Sequence, residues 1–387
     1  MMLRSWRQEL LPPLAFAVFT RVLMFLMVWL SLRAVPRLPF YPAQLPDNFL
    51  PHRLWLDGWA RWDTSHYVAI AELGYGAAES PSPNGGYGFL PVFPLLLRAV
   101  GAFPGLEQSS ATYATAGIVV ANIFFLVATC LFVMLSRRHF SRPATHSAVL
   151  LLCMMPFSFF FSASYSESLF VSICLGSLLL ADRNRWISAG ALGALASATR
   201  FAGLALAPAL LLGAYRDGVR GWRLAATGLL PLTGFGLWSA YTAWRIDDPL
   251  AYFNTQAEWG GWEEHVRFYA EILLRNPMEM VQGDPRHLII LVNLMIAVVF
   301  IAMLPLVWRK TPPAVAAFTM VIVLFHAGWT WVSLGRYLLP AVGVFMVGGE
   351  LLARPRLAGW PRDVLFTSAT ILLAALAIHF AHGFWVV

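Results

Sequence analysis

Asp63 and His66 stand three residues apart in Arg61-Trp62-Asp63-Thr64-Ser65-His66-Tyr67, which runs on through Val68-Ala69-Ile70-Ala71-Glu72-Leu73-Gly74-Tyr75. On a helix that spacing puts the acid and the imidazole on one face. A carboxylate so placed can take the proton of an acceptor hydroxyl during bond formation. Leu73-Gly74 reads as a helix end, because glycine tolerates a left-handed cap. An alternative role for Asp63 is purely structural, as an N-cap accepting from backbone N–H groups one turn on.

Group transfer from a lipid phosphate would need cations as well as a base. Arginine matches an oxyanion with two parallel hydrogen bonds. Two arginines fall at predicted helix ends: Arg200 in Ala198-Thr199-Arg200-Phe201, and Arg336 in Gly335-Arg336-Tyr337. Tyr337 adds a hydroxyl that could share the same phosphate, which ranks Arg336 ahead of Arg200, and His66 is a further phosphate candidate. The structural alternative for each arginine is snorkelling to interfacial water. Glu167 in Tyr165-Ser166-Glu167-Ser168 starts a predicted helix, where a carboxylate complements the dipole. Gln256, Glu258 and Trp259 offer an amide, an acid and an indole in a later loop. Arg21 lies inside the first apolar run, near enough to its basic end to snorkel. His326 and Asn293 read as partners in interhelical hydrogen bonds.

The elements that must position these residues are membrane helices. Apolar residues make up 59% of the 387-residue chain and charged residues 12%, against about a quarter charged in soluble domains. A span needs about 20 apolar residues. Such runs occur near 12–32, 111–135, 144–163, 167–181, 186–200, 201–215, 224–244, 287–308, 313–332, 337–352 and 364–386. The expected fold is therefore all-α and polytopic, with about 11 transmembrane helices in one domain over 1–387. The segment Phe89 to Leu97 carries Pro91 and Pro94 and reads as re-entrant or interfacial. The first run is long and lacks a good cleavage site, so it reads as a signal anchor.

Loop charge sets the orientation. With the N-terminus in the cytoplasm, the inside loops hold Arg4, Arg7, Arg137, Arg138, Arg142, Arg183, Arg185, Arg216, Arg220, Arg223, Arg309, Lys310, Arg354, Arg356 and Arg362, which is 15 of the 27 basic residues. That asymmetry follows the positive-inside rule, so the net charge of +7 signals topology and not nucleic acid. Two long segments, 34–110 and 246–286, then lie outside, in a multi-pass protein of the cell membrane. Trp55, Trp59 and Trp62 repeat at helical spacing and predict an interfacial helix with one indole face. Cys130, Cys153 and Cys174 have no metal or disulfide spacing. No metal cluster, cofactor motif or internal repeat is evident.

The order of these motifs resembles the PIG-V family, mannosyltransferases that add the second mannose to GPI anchors, with their bacterial relatives. The matching pieces are Arg61 through Tyr75, Phe89-Leu90-Pro91-Val92-Phe93-Pro94, Tyr165-Ser166-Glu167-Ser168 and Thr199-Arg200-Phe201-Ala202-Gly203. Gln256 to Trp259 and Gly335-Arg336-Tyr337 are weaker matches. Leu90 replaces a usual aromatic, and Met155-Pro156 departs from the family's Asn-Pro. The resemblance implies a C-type (GT-C) membrane glycosyltransferase that uses a polyprenyl-phosphate sugar and inverts the anomeric centre. It implies Asp63 as the base and Arg200, Arg336, Tyr337 and His66 at the donor phosphate. It implies substrate contacts from Trp62, Tyr75, Phe93, Tyr165, Glu167, Gln256 and Trp259.

The expected partners are a polyprenyl-phosphate sugar donor, a lipid or glycan acceptor and membrane lipids, with no cofactor, no metal and no nucleic acid. The active site is expected on the non-cytoplasmic face. The alternative class is a transporter or lipid flippase without transferase activity, which would need a polar mid-membrane path.

Overall fold

The hydrophobic runs form helices whose ends gather at two levels. The computed structural model describes residues 2–35, 49–78, 80, 82–258, 270, 274, 285–329, 333–357, 359–384 and 386. The order is α1 (Met2–Ala34), α2 (Leu54–Asp57), α3 (Asp63–Leu73), α4 (Val92–Gly101), α5 (Ser110–Ser136), α6 (Arg142–Met154), α7 (Glu167–Ala181), α8 (Trp186–Ser197), α9 (Leu206–Arg216), α10 (Gly221–Ile246) and α11 (Ala251–Ala257). Then come α12 (Pro285–Lys310), α13 (Pro313–Trp329), α14 (Leu334–Tyr337), α15 (Val342–Leu352) and α16 (Trp360–Ala381). The described residues contain no strand. The protein is thus an all-α, multi-pass membrane protein. Among the described residues four helices are long and apolar enough to cross a membrane: Gln8–Ala34, Ser110–Ser136, Ile289–Lys310 and Trp360–Ala381. Shorter apolar helices, such as α7, α8 and α15, complete the bundle.

Helix α7 is its centre. It is apolar on every face, and a helix with that pattern belongs inside a protein. Its residues from Glu167 to Ala181 are nearly all buried, against α5, α8 and α9. At about 1.5 Å per residue its two ends lie roughly 22 Å apart. Asp182, just past its C-terminus, pairs with Arg138 and with His139 Nε2 at 2.7 Å. At that same level Arg137 Nε donates to Glu9 at 2.8 Å and Lys310 Nζ to Glu350 at 2.6 Å. The loops assigned to the cytoplasm are therefore stitched together by ion pairs at one end of the bundle, and Glu167 opens the other.

Several expectations change. The 144–163 run is not one helix: α6 stops at Met154, because the residue before a proline avoids helical backbone and Pro156 follows Met155. The 201–215 run starts with a 3₁₀ turn, Phe201–Ala205, before α9. The three-indole face does not form. Helix α2 ends at Asp57, so Trp55 is exposed while Trp59 is fully buried and stacks on Phe25 at 4.6 Å. Helix α3 is also packed rather than superficial, burying both faces between α4 and α5. Arg21 does not snorkel: its guanidinium donates to the Ser158 carbonyl at 2.7 Å and the Cys153 carbonyl at 2.9 Å. It thereby satisfies the backbone where the chain breaks after α6. Apart from 270 and 274, residues 259–284 of the second outer segment lie outside the described residues, and Trp259 with them.

Candidate active site

Asp63 is the first residue of α3, and the N-cap position belongs to Trp62, which makes no side-chain cap bond. The N-cap role proposed for Asp63 is therefore not the one its side chain takes. Its Oδ2 accepts from Arg336 Nη2 at 2.8 Å. Trp62 itself has φ 51°, a left-sided backbone rarely tolerated by a side chain with Cβ, so the turn must be held from outside. Arg61 pairs with Asp57 at 2.7 Å and donates to the Ala381 carbonyl at 3.0 Å. Asp57 in turn accepts the Leu50 N–H at 2.8 Å, and the Trp62 indole donates to the Phe384 carbonyl at 3.3 Å. The end of α16 thus braces the turn that presents Asp63. The Asp57–Arg61 pair spans the turn between α2 and α3 and not a continuous helix.

Tyr165 fastens the other side. Its hydroxyl donates to the Arg61 carbonyl and accepts the Asp63 N–H, both at 3.1 Å. Burial pushes this phenol well above its usual range, so it stays a proton donor. The Arg336 guanidinium lies over the Tyr165 ring, 4.6 Å from its centroid.

Glu167 joins the two arginines. Its Oε1 accepts from Arg336 Nε and, at 2.6 Å, from Arg200 Nη1. Ser166 does not use its hydroxyl as a cap; it accepts from Arg200 Nη1 at 3.1 Å and pairs with the Tyr67 hydroxyl at 3.0 Å. The side chains of Glu167 and Arg336 are 4% and 6% exposed, Arg200 is 15% exposed, and Asp63 is 30% exposed. Charges buried this deeply persist only when paired, and two carboxylates face two guanidiniums here. Arg336 has its fork occupied by Asp63 and Glu167. Among the described residues Arg200 bonds through Nη1 alone, which leaves its Nε and Nη2 donors unused by them.

The Arg336 turn is built for this position. Ser333 takes φ 64° ahead of α14, and the Gly335 N–H donates to Asn293 Oδ1 at 2.6 Å. A Cβ on Gly335 would sit 2.1 Å from the Phe157 ring, so no larger residue fits there. Tyr337 stacks on His326 at 5.0 Å and lies beneath both Arg200 and Arg336. Asn293 and His326 therefore buttress the turn, Asn293 by the expected interhelical bond and His326 by its ring, since its Nδ1 bonds Ile322 within α13.

The remaining candidates lie around this cluster rather than in it. His66 Nδ1 bonds Ser82 Oγ at 2.7 Å and the ring stacks on Phe89. Burial pulls its pKa down and the Asp63 carboxylate opposes that, so near neutral pH the ring offers a hydrogen bond more readily than a charge. Tyr75 stacks with Tyr87 and Trp238 and donates to the Phe89 carbonyl at 2.9 Å. Phe93 is fully buried, edge-on to Tyr67. Gln256 Nε2 donates to the Gly88 carbonyl at 3.1 Å, fixing α11 to the first outer segment. Among the described residues no three His, Cys, Asp or Glu side chains converge as a metal site. The positive charge here comes from Arg200 and Arg336.

Comparison with known proteins gives the cluster a context. A family model described as mannosyltransferase (PIG-V) matches residues 9–214, a stretch that contains Asp63, Glu167 and Arg200 and stops short of Arg336. The GPI alpha-1,6-mannosyltransferase 2 of Mus musculus is 31% identical over 218 residues, and that of Rattus norvegicus 29% over 214. Each match covers 49% of this chain and 40% of the relative, so the chain matches well under half the length of these curated relatives. The oligosaccharyltransferase of Archaeoglobus fulgidus aligns over 98% of this chain and 56% of its own, with a TM-score of 0.51 and 14% identity. That likeness is one of fold.

Proposed function

Since the chain belongs to the mannosyltransferase (PIG-V) family, we propose that it moves a mannosyl group from a polyprenyl-phosphate donor to a hydroxyl of a lipid or glycan acceptor, with inversion, on the non-cytoplasmic face. The observation that carries this reading is the convergence of Asp63, Glu167, Arg200 and Arg336 at the end of the bundle opposite the basic loops. A base and an oxyanion-binding cation then meet where a lipid-borne substrate can reach both.

In this account Asp63, the most exposed of the four, receives the acceptor proton. The acceptor oxygen bonds to the anomeric carbon as the carbon–oxygen bond to phosphate breaks, and the polyprenyl phosphate leaves with the electron pair. Arg200 supplies the phosphate contact through its unbonded guanidinium edge, which reverses the order expected from sequence. Fixed cations aimed at developing charge lower the barrier without reorganising. Arg336 is the positioning residue: one face orients Asp63 and the other rests on Glu167. Glu167 holds both arginines apart at the right spacing. Tyr337 forms the floor beneath them. Tyr75, Trp62 and Gln256 are suited to line the acceptor and sugar path, with Tyr165 and Phe93 behind.

The test is transfer from radiolabelled polyprenyl-phosphate mannose by the purified chain in lipid, with the anomeric configuration of the product read by linkage-specific mannosidases. Labelled product of inverted configuration supports the proposal. No transfer from that donor by folded protein, across lipid and glycan acceptors, overturns it.

A further inference from the structure

A second, apolar feature runs along α13 from the basic end of the bundle towards Phe201. A groove of about 440 Å³ is lined by Trp308, Ala317, Met320, Val321, Leu324 and Phe325, a volume in the range of small-molecule pockets (about 300–1,000 Å³). The five α13 residues recur at i, i+3, i+4, i+7 and i+8, so they form one helix face. Over that interval the face runs roughly 12 Å along the bundle axis. Trp308 closes its lower end from the last turn of α12.

The charge at that lower end meets the groove directly. Arg216 ends α9 and its guanidinium lies over the Trp308 ring, 5.1 Å from the centroid. The contact is possible because Gly213 brings α9 against Ala314 at the start of α13. Arg220 lies over Tyr215 at 4.2 Å, Arg223 over Trp222 at 5.7 Å, and Arg309 follows Trp308 in sequence. Some cations at this level are neutralised, Arg137 by Glu9, Arg138 by Asp182 and Lys310 by Glu350, whereas Arg142 bonds only the Gln8 carbonyl. Among the described residues Arg216, Arg220, Arg223 and Arg309 pair with no carboxylate. Trp222 is 71% exposed, as suits an indole at the headgroup level. Positive charge without counter-ions, set at the mouth of an apolar groove, complements a lipid with an anionic head. Basic pockets between helices on the side of the basic loops take anionic headgroups.

We propose that this groove is a specific binding site for an anionic phospholipid of the leaflet on the basic-loop side. The phosphate sits on Arg216, with Arg220 and Arg309 adding to the local potential, and one acyl chain lies along Ala317, Val321 and Leu324. The upper end of the groove approaches the cluster, since Phe325 contacts Phe201 beside Arg200; what favours a phospholipid over the sugar donor is the headgroup position at Arg216, at the opposite end. The cation–indole pair marks a built headgroup site and not merely a lipid-facing helix.

The experiment is native mass spectrometry of the purified full chain from mixed micelles of phosphatidylglycerol and phosphatidylcholine in equal amounts. Wild-type protein should retain one phosphatidylglycerol at least fivefold over phosphatidylcholine. Arg216→Gln should abolish the preference. Leu324→Trp, which fills the groove and leaves every charge in place, should lose the bound lipid. The wild-type preference needs no variant and decides the matter if a variant fails to fold. Equal retention of both lipids, or a preference unchanged in Arg216→Gln, would make this an ordinary annular contact and overturn the proposal. Persistence of the lipid in folded Leu324→Trp overturns the groove as its seat. A lipid displaced by added polyprenyl phosphate, in a manner lost with Arg200→Lys and not with Arg216→Gln, would assign the groove to the donor and equally overturn it.

Discussion

Arg336 binds Asp63 and Glu167 at once, donating from Nη2 to Asp63 Oδ2 at 2.8 Å and from Nε to Glu167 Oε1. One guanidinium therefore ties the partly exposed carboxylate at the start of α3 to the buried carboxylate at the start of α7. The geometry of the two acids depends on a short turn, α14, that comes far later in the chain.

Glu167→Gln should destabilise the fold as well as the site. The amide keeps the shape but removes the counter-charge between two nearly buried arginines. Breaking a buried ion pair from one side costs about 3–5 kcal/mol. The melting temperature in detergent should fall by several degrees, and transfer should be lost. A variant that melts with the wild type would mean that the arginines do not depend on Glu167.

Arg200→Lys and Arg336→Lys should separate in kinetics. Lysine keeps charge but cannot form a two-pronged contact. In Arg200→Lys, whose guanidinium has donors to spare, the donor KM should rise about tenfold, equivalent to roughly 1.4 kcal/mol, with melting little changed. In Arg336→Lys the link between Asp63 and Glu167 is cut, so kcat should fall and added donor should not restore it. Unchanged donor use in Arg200→Lys would move the phosphate site elsewhere.

Much of the bundle was legible because its pattern is local. The run 167–181 coincides with α7, Glu167–Ala181, and the run 111–135 lies one residue inside each end of α5, Ser110–Ser136. Gly74 does end α3, with φ 90°. What local pattern could not supply was partnership. That Asp63 bonds a guanidinium instead of capping a helix depends on Arg336, and that Arg200 and Arg336 share Glu167 depends on three chain segments meeting. The bracing of Trp62 by the Ala381 and Phe384 carbonyls is carried by backbone atoms, which leave no mark on side-chain motifs. The missed break after α6 is different: Pro156 was visible and should have ended the helix. Trp55, Trp59 and Trp62 show the reverse error, a helical spacing across a segment that turns at Gly58 and never becomes one helix.

Orientation can be read by labelling. Glu107 and Ala257 are exposed on the segments that flank the cluster, and Asp217 is exposed in a basic loop. Cysteines at 107 and 257 should react with an impermeant thiol reagent from the non-cytoplasmic side, and a cysteine at 217 only after the membrane is opened. The native Cys153 and Cys174 are buried and should stay silent. Labelling of 107 and 257 from opposite sides would contradict a shared outer site.

In the proposed mechanism Asp63 takes the acceptor proton, and Asp63→Asn tests that role. Asparagine keeps the size and can still accept from Arg336, but it cannot hold the proton. Turnover of polyprenyl-phosphate mannose by the folded variant should drop by about 10²–10⁴, the usual contribution of a general base, while its melting temperature stays within a few degrees of wild type. Transfer at a rate near that of the wild type would contradict the account and leave Asp63 as a structural partner of Arg336.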